Sequence, residues 1–157
     1  MIEIERKFLV TSQQFKTEAI RKTRIKQGFL NTDKARTVRV RLKGEIGFIT
    51  VKGASTDDGL SRFEWENEIS KTDAEALLKL CETGIIDKTR YDIEVGNHLF
   101  EVDEFFGDNT GLIVAEVELS HPTEIFKKPN WLGKEVTGIT KYYNSELSKN
   151  PFKNWNS

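Results

Sequence analysis

The sequence predicts a mainly β (α+β) fold, a closed eight-stranded antiparallel β-barrel with a charged interior and a few flanking helices. Three observations predict it. Segments alternate at period 2, glycines sit where tight hairpins need positive φ, and one parity of the strands collects ionic side chains. The alternating segments are residues 2–10, 23–30, 37–43, 47–52, 62–70, 87–95, 98–106 and 112–119. Gly44-Glu45 and Gly96-Asn97 lie between neighbouring segments, so the strands flanking them should pair directly. Helical spacing is clearest from Thr72, with Thr72 or Ser70 as N-cap, Leu77, Leu78 and Cys81 on one face, and Gly84 at the end. Residues 12–19 and 139–147 are weaker helical candidates, the second aligning Ile139, Tyr142, Tyr143 and Leu147. Neither a linker nor a repeat interrupts the chain, and residues 1–157 are expected to form one domain.

Composition narrows the function classes. The 157 residues carry 24 Lys and Arg against 25 Asp and Glu, so no general basic field exists for nucleic acid. Apolar runs such as Ile113-Val114-Ala115 are far too short to span a membrane, and charge follows Met1 at once, which reads as a soluble cytoplasmic protein. Cys81 is the only cysteine, excluding an intramolecular disulfide and a cysteine-cluster metal site; among leucines it reads as ordinary core.

The charges are sorted by strand parity. Glu3, Glu5 and Lys7 oppose Ile2, Ile4 and Phe8, with Arg6 the exception; Arg39, Arg41 and Lys43 oppose Val38, Val40 and Leu42. Arg62, Glu64, Glu66 and Glu68 oppose Phe63, Trp65 and Ile69; Lys88, Arg90 and Asp92 oppose Tyr91, Ile93 and Val95; Glu116 and Glu118 oppose Ala115, Val117 and Leu119. An antiparallel sheet with one wet face alternates in the same way, so alternation alone fits a solvated surface. Two details point inward instead. Arginines recur at paired positions, and the planar guanidinium suits multidentate contact with phosphate oxygens. The same-face pairs Glu3 with Glu5 and Glu116 with Glu118 repel unless a cation lies between them. Oxygen donors without His or Cys suit Mg²⁺ or Mn²⁺, which commonly bridge carboxylates to substrate phosphates. A barrel closed with these faces inward would take a polyphosphate anion and a divalent metal.

The opening Glu3-Ile4-Glu5-Arg6-Lys7-Phe8-Leu9 resembles the signature of the CYTH superfamily, the triphosphate tunnel metalloenzymes. The resemblance extends over nearly the whole chain through Val38-Arg39-Val40-Arg41, Thr50-Val51-Lys52-Gly53, Arg62-Phe63-Glu64-Trp65-Glu66, Lys88-Thr89-Arg90-Tyr91, Glu101-Val102-Asp103 and Ala115-Glu116-Val117-Glu118. It implies an eight-stranded antiparallel tunnel. It further implies that Glu3, Glu5 and Glu118 hold the principal metal, with Glu116, Glu64 and Asp103 beside it or a second ion. Lys7, Arg39, Arg41, Lys52, Arg62, Lys88 and Arg90 would clamp the triphosphate, Lys52 on family position more than on parity. Glu64, Glu66 and Asp103 are the candidates for orienting water. Lys141 reads as a solvated lysine or a tunnel-mouth contact, Arg6 as outward-facing, and residues 55–61 as a connector or an entrance loop.

The chain looks most like small bacterial members that hydrolyse inorganic tripolyphosphate or nucleoside triphosphates with Mg²⁺ or Mn²⁺. Other members cyclise ATP or hydrolyse thiamine triphosphate, and nothing in the sequence specifies a base. A noncatalytic polyphosphate-binding module would gain little from the carboxylate pairs. A lipocalin-like carrier would need the parities reversed. The expected partner is a small-molecule triphosphate, with no nucleic acid and no membrane.

Overall fold

All eight alternating segments are strands in the computed structural model, which describes residues 2–155. They are β1 (Ile2–Val10), β2 (Arg21–Asn31), β3 (Arg36–Lys43), β4 (Ile46–Ser55), β5 (Ser61–Ile69), β6 (Ile86–Val95), β7 (His98–Phe105) and β8 (Ile113–Glu118). The sheet runs β5-β4-β3-β2-β6-β7-β8-β1 and closes where β1 also pairs with β5, every pair antiparallel. Closure gives each strand neighbours on both sides and turns one parity wholly inward.

A ninth strand, β9 (Leu132–Glu135), was not legible as alternation. It spans four residues and pairs with the end of β1, Phe8↔Glu135 and Val10↔Leu132, beyond the stretch where Ile2, Glu3 and Ile4 pair with β5. Gly133 allows the approach, since a Cβ there would stand 3.0 Å from the Leu9 carbonyl oxygen.

The outward parity of β1, β6, β7 and β8 forms the larger core, with Phe8, Tyr91, Ile93, Phe100, Val102 and Val117 buried under Phe15, Phe126 and Trp131. Phe15 lies on α1 (Phe15–Glu18), a single turn where residues 12–19 had suggested more, and meets Trp131 edge-on at 5.9 Å. A second core, of Ile86, Phe105, Leu112, Val114 and Leu147, draws Ile86, Phe105 and Val114 from the inward parity of Lys88, Asp103 and Glu116. It therefore fills the bore at one end. Leu147 comes from α3 (Asn144–Leu147), another single turn. The helix suggested at 139–147 is divided: a 3-10 turn at Thr140–Tyr142 is followed by Tyr143 in extended geometry.

Helix α2 (Lys71–Leu78) is capped by Ser70, whose side chain accepts from the Asp73 backbone N–H, so the cap is Ser70 rather than Thr72. The helix stops before Cys81 and Gly84. Leu80 and Cys81 make tightening bonds to Leu77 and Leu78, and the Glu82 N–H is captured by the Phe29 carbonyl of β2. Cys81 consequently lies half-buried after the helix, against Gly28. No described helix is long and apolar enough to cross a membrane.

Candidate active site

Inward parity gathers the charged residues around one cavity of about 260 Å³. It is bordered by Glu3, Glu5 and Lys7 of β1, Arg39 and Arg41 of β3, Lys52 of β4, and Arg62, Glu64 and Glu66 of β5. Lys88 and Arg90 of β6 and Glu116 and Glu118 of β8 complete the set expected from sequence, with one exception. Asp103 is inward but lies behind the cavity wall, 2% exposed. Glu101, on the same face of β7, borders the cavity although the resemblance assigns it no role. Tyr143, Asn144 and Ser145 also border it, and strand alternation could not reveal them because they lie on the C-terminal segment. Lys141 turns away, its ammonium 4.5 Å from the Trp155 ring centre. Arg6 faces outward and forms a two-pronged pair with Glu135 of β9, at 2.8 and 2.6 Å. Residues 56–60 form a hydrogen-bonded turn in which the Thr56 hydroxyl donates to Asp58 and the Gly59 N–H donates to the Thr56 carbonyl.

The carboxylates are crowded. Glu5 faces Glu118 across β1 and β8, and Lys7 faces Glu116, which in turn faces Glu101 of β7. The Lys7 ammonium lies 3.4 Å from Glu116 and 3.7 Å from Glu5; the Lys52 ammonium lies 3.0 Å from Glu3 and 3.3 Å from Glu64. Burial, with Glu116 alongside, pushes Glu5 up to about 8. Burial acts on Glu116 too, but Lys7, Arg90 and the hydrogen bond from Glu5 hold it well below the usual carboxylate range. Glu3 and Glu64 repeat the pattern: burial raises Glu3, while the hydrogen bond from Glu3 and the Lys52 charge outweigh burial at Glu64 and lower it. In each pair one carboxyl group is raised and its neighbour lowered. Glu118 is raised by burial and by Glu3, Glu64 and Glu101.

The cationic wall is built around Asp103. Arg90 grips it with two bonds of 2.8 Å, and the Lys88 ammonium lies 2.7 Å from it. Burial opposes charge on all three, yet Arg90 is held well above and Asp103 well below their ordinary values by each other. Lys88 fares differently. Burial, together with Arg90 and Arg41, outweighs Asp103 and brings it down to about 7. Burial and the neighbouring Arg39 and Arg90 likewise lower Arg41. The Nε atoms of Arg39 and Arg62 are buried without a partner among the described residues. A buried donor left unmade is costly, and an anion in the bore would satisfy it.

Among the described residues no three carboxylates, histidines or cysteines already stand together as a metal site. The donors are drawn onto Lys7 and Lys52 instead. Their chemistry nonetheless fits a hard divalent cation, since Glu3, Glu5 and Glu118 are oxygen donors whose charged forms burial and neighbouring carboxylates disfavour and a cation would favour.

A closed antiparallel barrel whose bore carries arginines and lysines beside carboxyl groups presents donors suited to a polyanion and oxygen ligands suited to a cation. The CYTH domain model matches residues 1–151, and the chain belongs to that family. It is 46% identical to an inorganic triphosphatase of Acetivibrio thermocellus over 154 residues, covering 98% of this chain and 97% of that protein. An inorganic triphosphatase of Nitrosomonas europaea is 36% identical over 152 residues, 94% of this chain and 97% of its own. The crystal structure of an inorganic triphosphatase superposes with a TM-score of 0.66 at 34% identity, over 93% of this chain and 97% of that one.

Proposed function

We propose that this protein hydrolyses a triphosphate, inorganic tripolyphosphate foremost and nucleoside triphosphates also, in the cytoplasm and with Mg²⁺ or Mn²⁺. The observation that carries this is the pairing, in one closed bore, of buried guanidinium Nε donors that lack acceptors with carboxyl groups crowded on facing strands. The full-length similarity to two inorganic triphosphatases favours hydrolysis over cyclisation of ATP. A passive polyphosphate binder would have no use for the acidic wall.

In this reading Lys7, Arg39, Arg41, Lys52, Arg62, Lys88 and Arg90 take the non-bridging oxygens and draw charge from the terminal phosphoryl group. Glu3, Glu5 and Glu118 would hold the cation, with Glu116 beside it. When bound, the cation neutralises charge on the phosphate oxygens. A water oxygen attacks the terminal phosphorus and gives up its proton to solvent, the bridging P–O bond breaks, and pyrophosphate, or the nucleoside diphosphate from a nucleoside triphosphate, leaves with the bond's electron pair. Glu64 or Glu66 orients that water by accepting its hydrogen bond; Glu66 is itself fixed by a 2.6 Å bond from the Thr50 hydroxyl. Asp103 serves otherwise. Both its oxygens are occupied by Arg90 and Lys88, so it positions the clamp rather than a metal or water.

Tripolyphosphate, ATP and thiamine triphosphate, each incubated with the protein and Mg²⁺ or Mn²⁺ and resolved into phosphate, pyrophosphate and cyclic products, test the reading. Phosphate release from tripolyphosphate should be fastest, and Glu5→Gln or Glu118→Gln should abolish the metal-dependent rate with the fold intact. Near-normal turnover in both variants would overturn the metal assignment; a cyclic product would overturn the hydrolytic one.

A further inference from the structure

Gln27 is fully buried on β2, facing Arg41 across the strand pair. The Arg41 Nε donates to Gln27 Oε1 at 3.2 Å. A guanidinium has no acceptor, so Gln27 must turn its oxygen to Arg41 and its NH₂ the other way. That NH₂ meets Asn144 at 2.9 Å, and the Lys88 Nζ donates to the same Asn144 atom at 3.1 Å. Two donors converge on it, so the atom is Oδ1. The Asn144 NH₂ is therefore directed away from both. It makes no side-chain hydrogen bond among the described residues, and Asn144 borders the same cavity as Arg41 and Lys88.

We infer that Asn144, carried by the C-terminal segment and not by the barrel, donates from Nδ2 to a phosphate oxygen of the bound triphosphate, with Gln27 fixing the orientation of its carboxamide. This rests on the triphosphatase reading above. Only the NH₂ end complements an anion, and the chain of Arg41, Gln27 and Asn144 presents that end. The sequence of donors has one consistent solution, starting from a group that cannot accept. Asn144 is a substrate-binding residue and Gln27 a positioning residue that acts through it. The third side of the site is thus supplied by residues that close the bore, and Leu147, one helical turn on, anchors that closure in the second core.

The test is a variant series read in two ways, by KM for tripolyphosphate with Mg²⁺ and by calorimetric Kd for tripolyphosphate without metal. Asn144→Ala should raise both about tenfold, the worth of one hydrogen bond to a charged group, with kcat little changed. Asn144→Asp keeps an acceptor for Gln27 and Lys88 but turns an oxygen toward the anion; it should raise both further while the thermal midpoint stays within a few degrees of wild type. Gln27→Met should raise KM in the Asn144 background and much less in the Asn144→Ala background. Wild-type KM and Kd in Asn144→Asp would overturn the inference, as would effects of Gln27→Met and Asn144→Ala that multiply independently. A wild-type protein that binds tripolyphosphate without releasing phosphate would sink the triphosphatase reading alone, and the Kd series would still decide for or against Asn144.

Discussion

Glu5 lies in the acidic wall with Glu116 close enough to share a proton, and this sets a pH dependence of opposite sign to that of an ordinary salt-bridged carboxylate. Its folded-state value is raised from the ordinary 4.5 to about 8, chiefly by burial. Between those values the folded chain keeps a proton that the unfolded chain has released. Stability without metal therefore falls as pH rises through this window and levels off above it. Gln at this position imitates the protonated acid at every pH. Glu5→Gln should accordingly melt above wild type in chelator, with a gap near zero at pH 4.5 that widens to several degrees by pH 8, followed by differential scanning calorimetry. A constant gap would mean that Glu5 is ionised throughout. The same proton should be lost when a cation binds, so Mg²⁺ affinity should rise with pH up to about 8.

Among the elements, α2 is held by one close approach. A Cβ on Gly47 of β4 would stand 2.6 Å from the Ala74 Cβ and 2.9 Å from the Ser70 carbonyl oxygen, and the second contact is backbone that cannot rotate away. Gly47→Ala should cost about 1–3 kcal/mol in urea unfolding by forcing the helix off the sheet, and Ser70→Ala about 1 kcal/mol by removing the cap. Neither variant should alter KM, because both lie outside the bore. Legibility divides along the same lines. The eight barrel strands were visible because each is long enough for parity to repeat, and the charged parity also named the cavity-lining residues. Four-residue β9, single-turn α1 and the broken 139–147 segment were not, since their geometry comes from tertiary hydrogen bonds and from Phe15, Leu147 and Trp131 finding cores. Asn144 was hidden for that reason. Asp103 was visible as inward, but its two bonds to Arg90 were not, because they depend on a cross-strand register that one strand cannot reveal.

For the molecule as a whole, near-neutral composition conceals two like-charged walls enclosed by the same barrel. Burial, with neighbouring guanidinium groups alongside, lowers Arg39 and Arg41 on one side, while burial raises Glu3, Glu5 and Glu118 on the other. The apolar cores, outside the wall and at one end of the bore, supply the stability against which these walls are held. Ligands that bind only the folded barrel should then add to its stability. At about 100 times its Kd a ligand contributes about 2.7 kcal/mol, which for a chain of this length raises Tm by about 5–10 °C. Tripolyphosphate alone should raise Tm by satisfying the cationic wall, and Mg²⁺ should add a further increment through the acidic wall. Glu118→Gln should keep the first increment and lose most of the second; Arg39→Ala should do the reverse. A thermal-shift titration of the three proteins with each ligand separately and together measures both. Equal loss of both increments in either variant would show that the walls do not act as separate anion and cation sites.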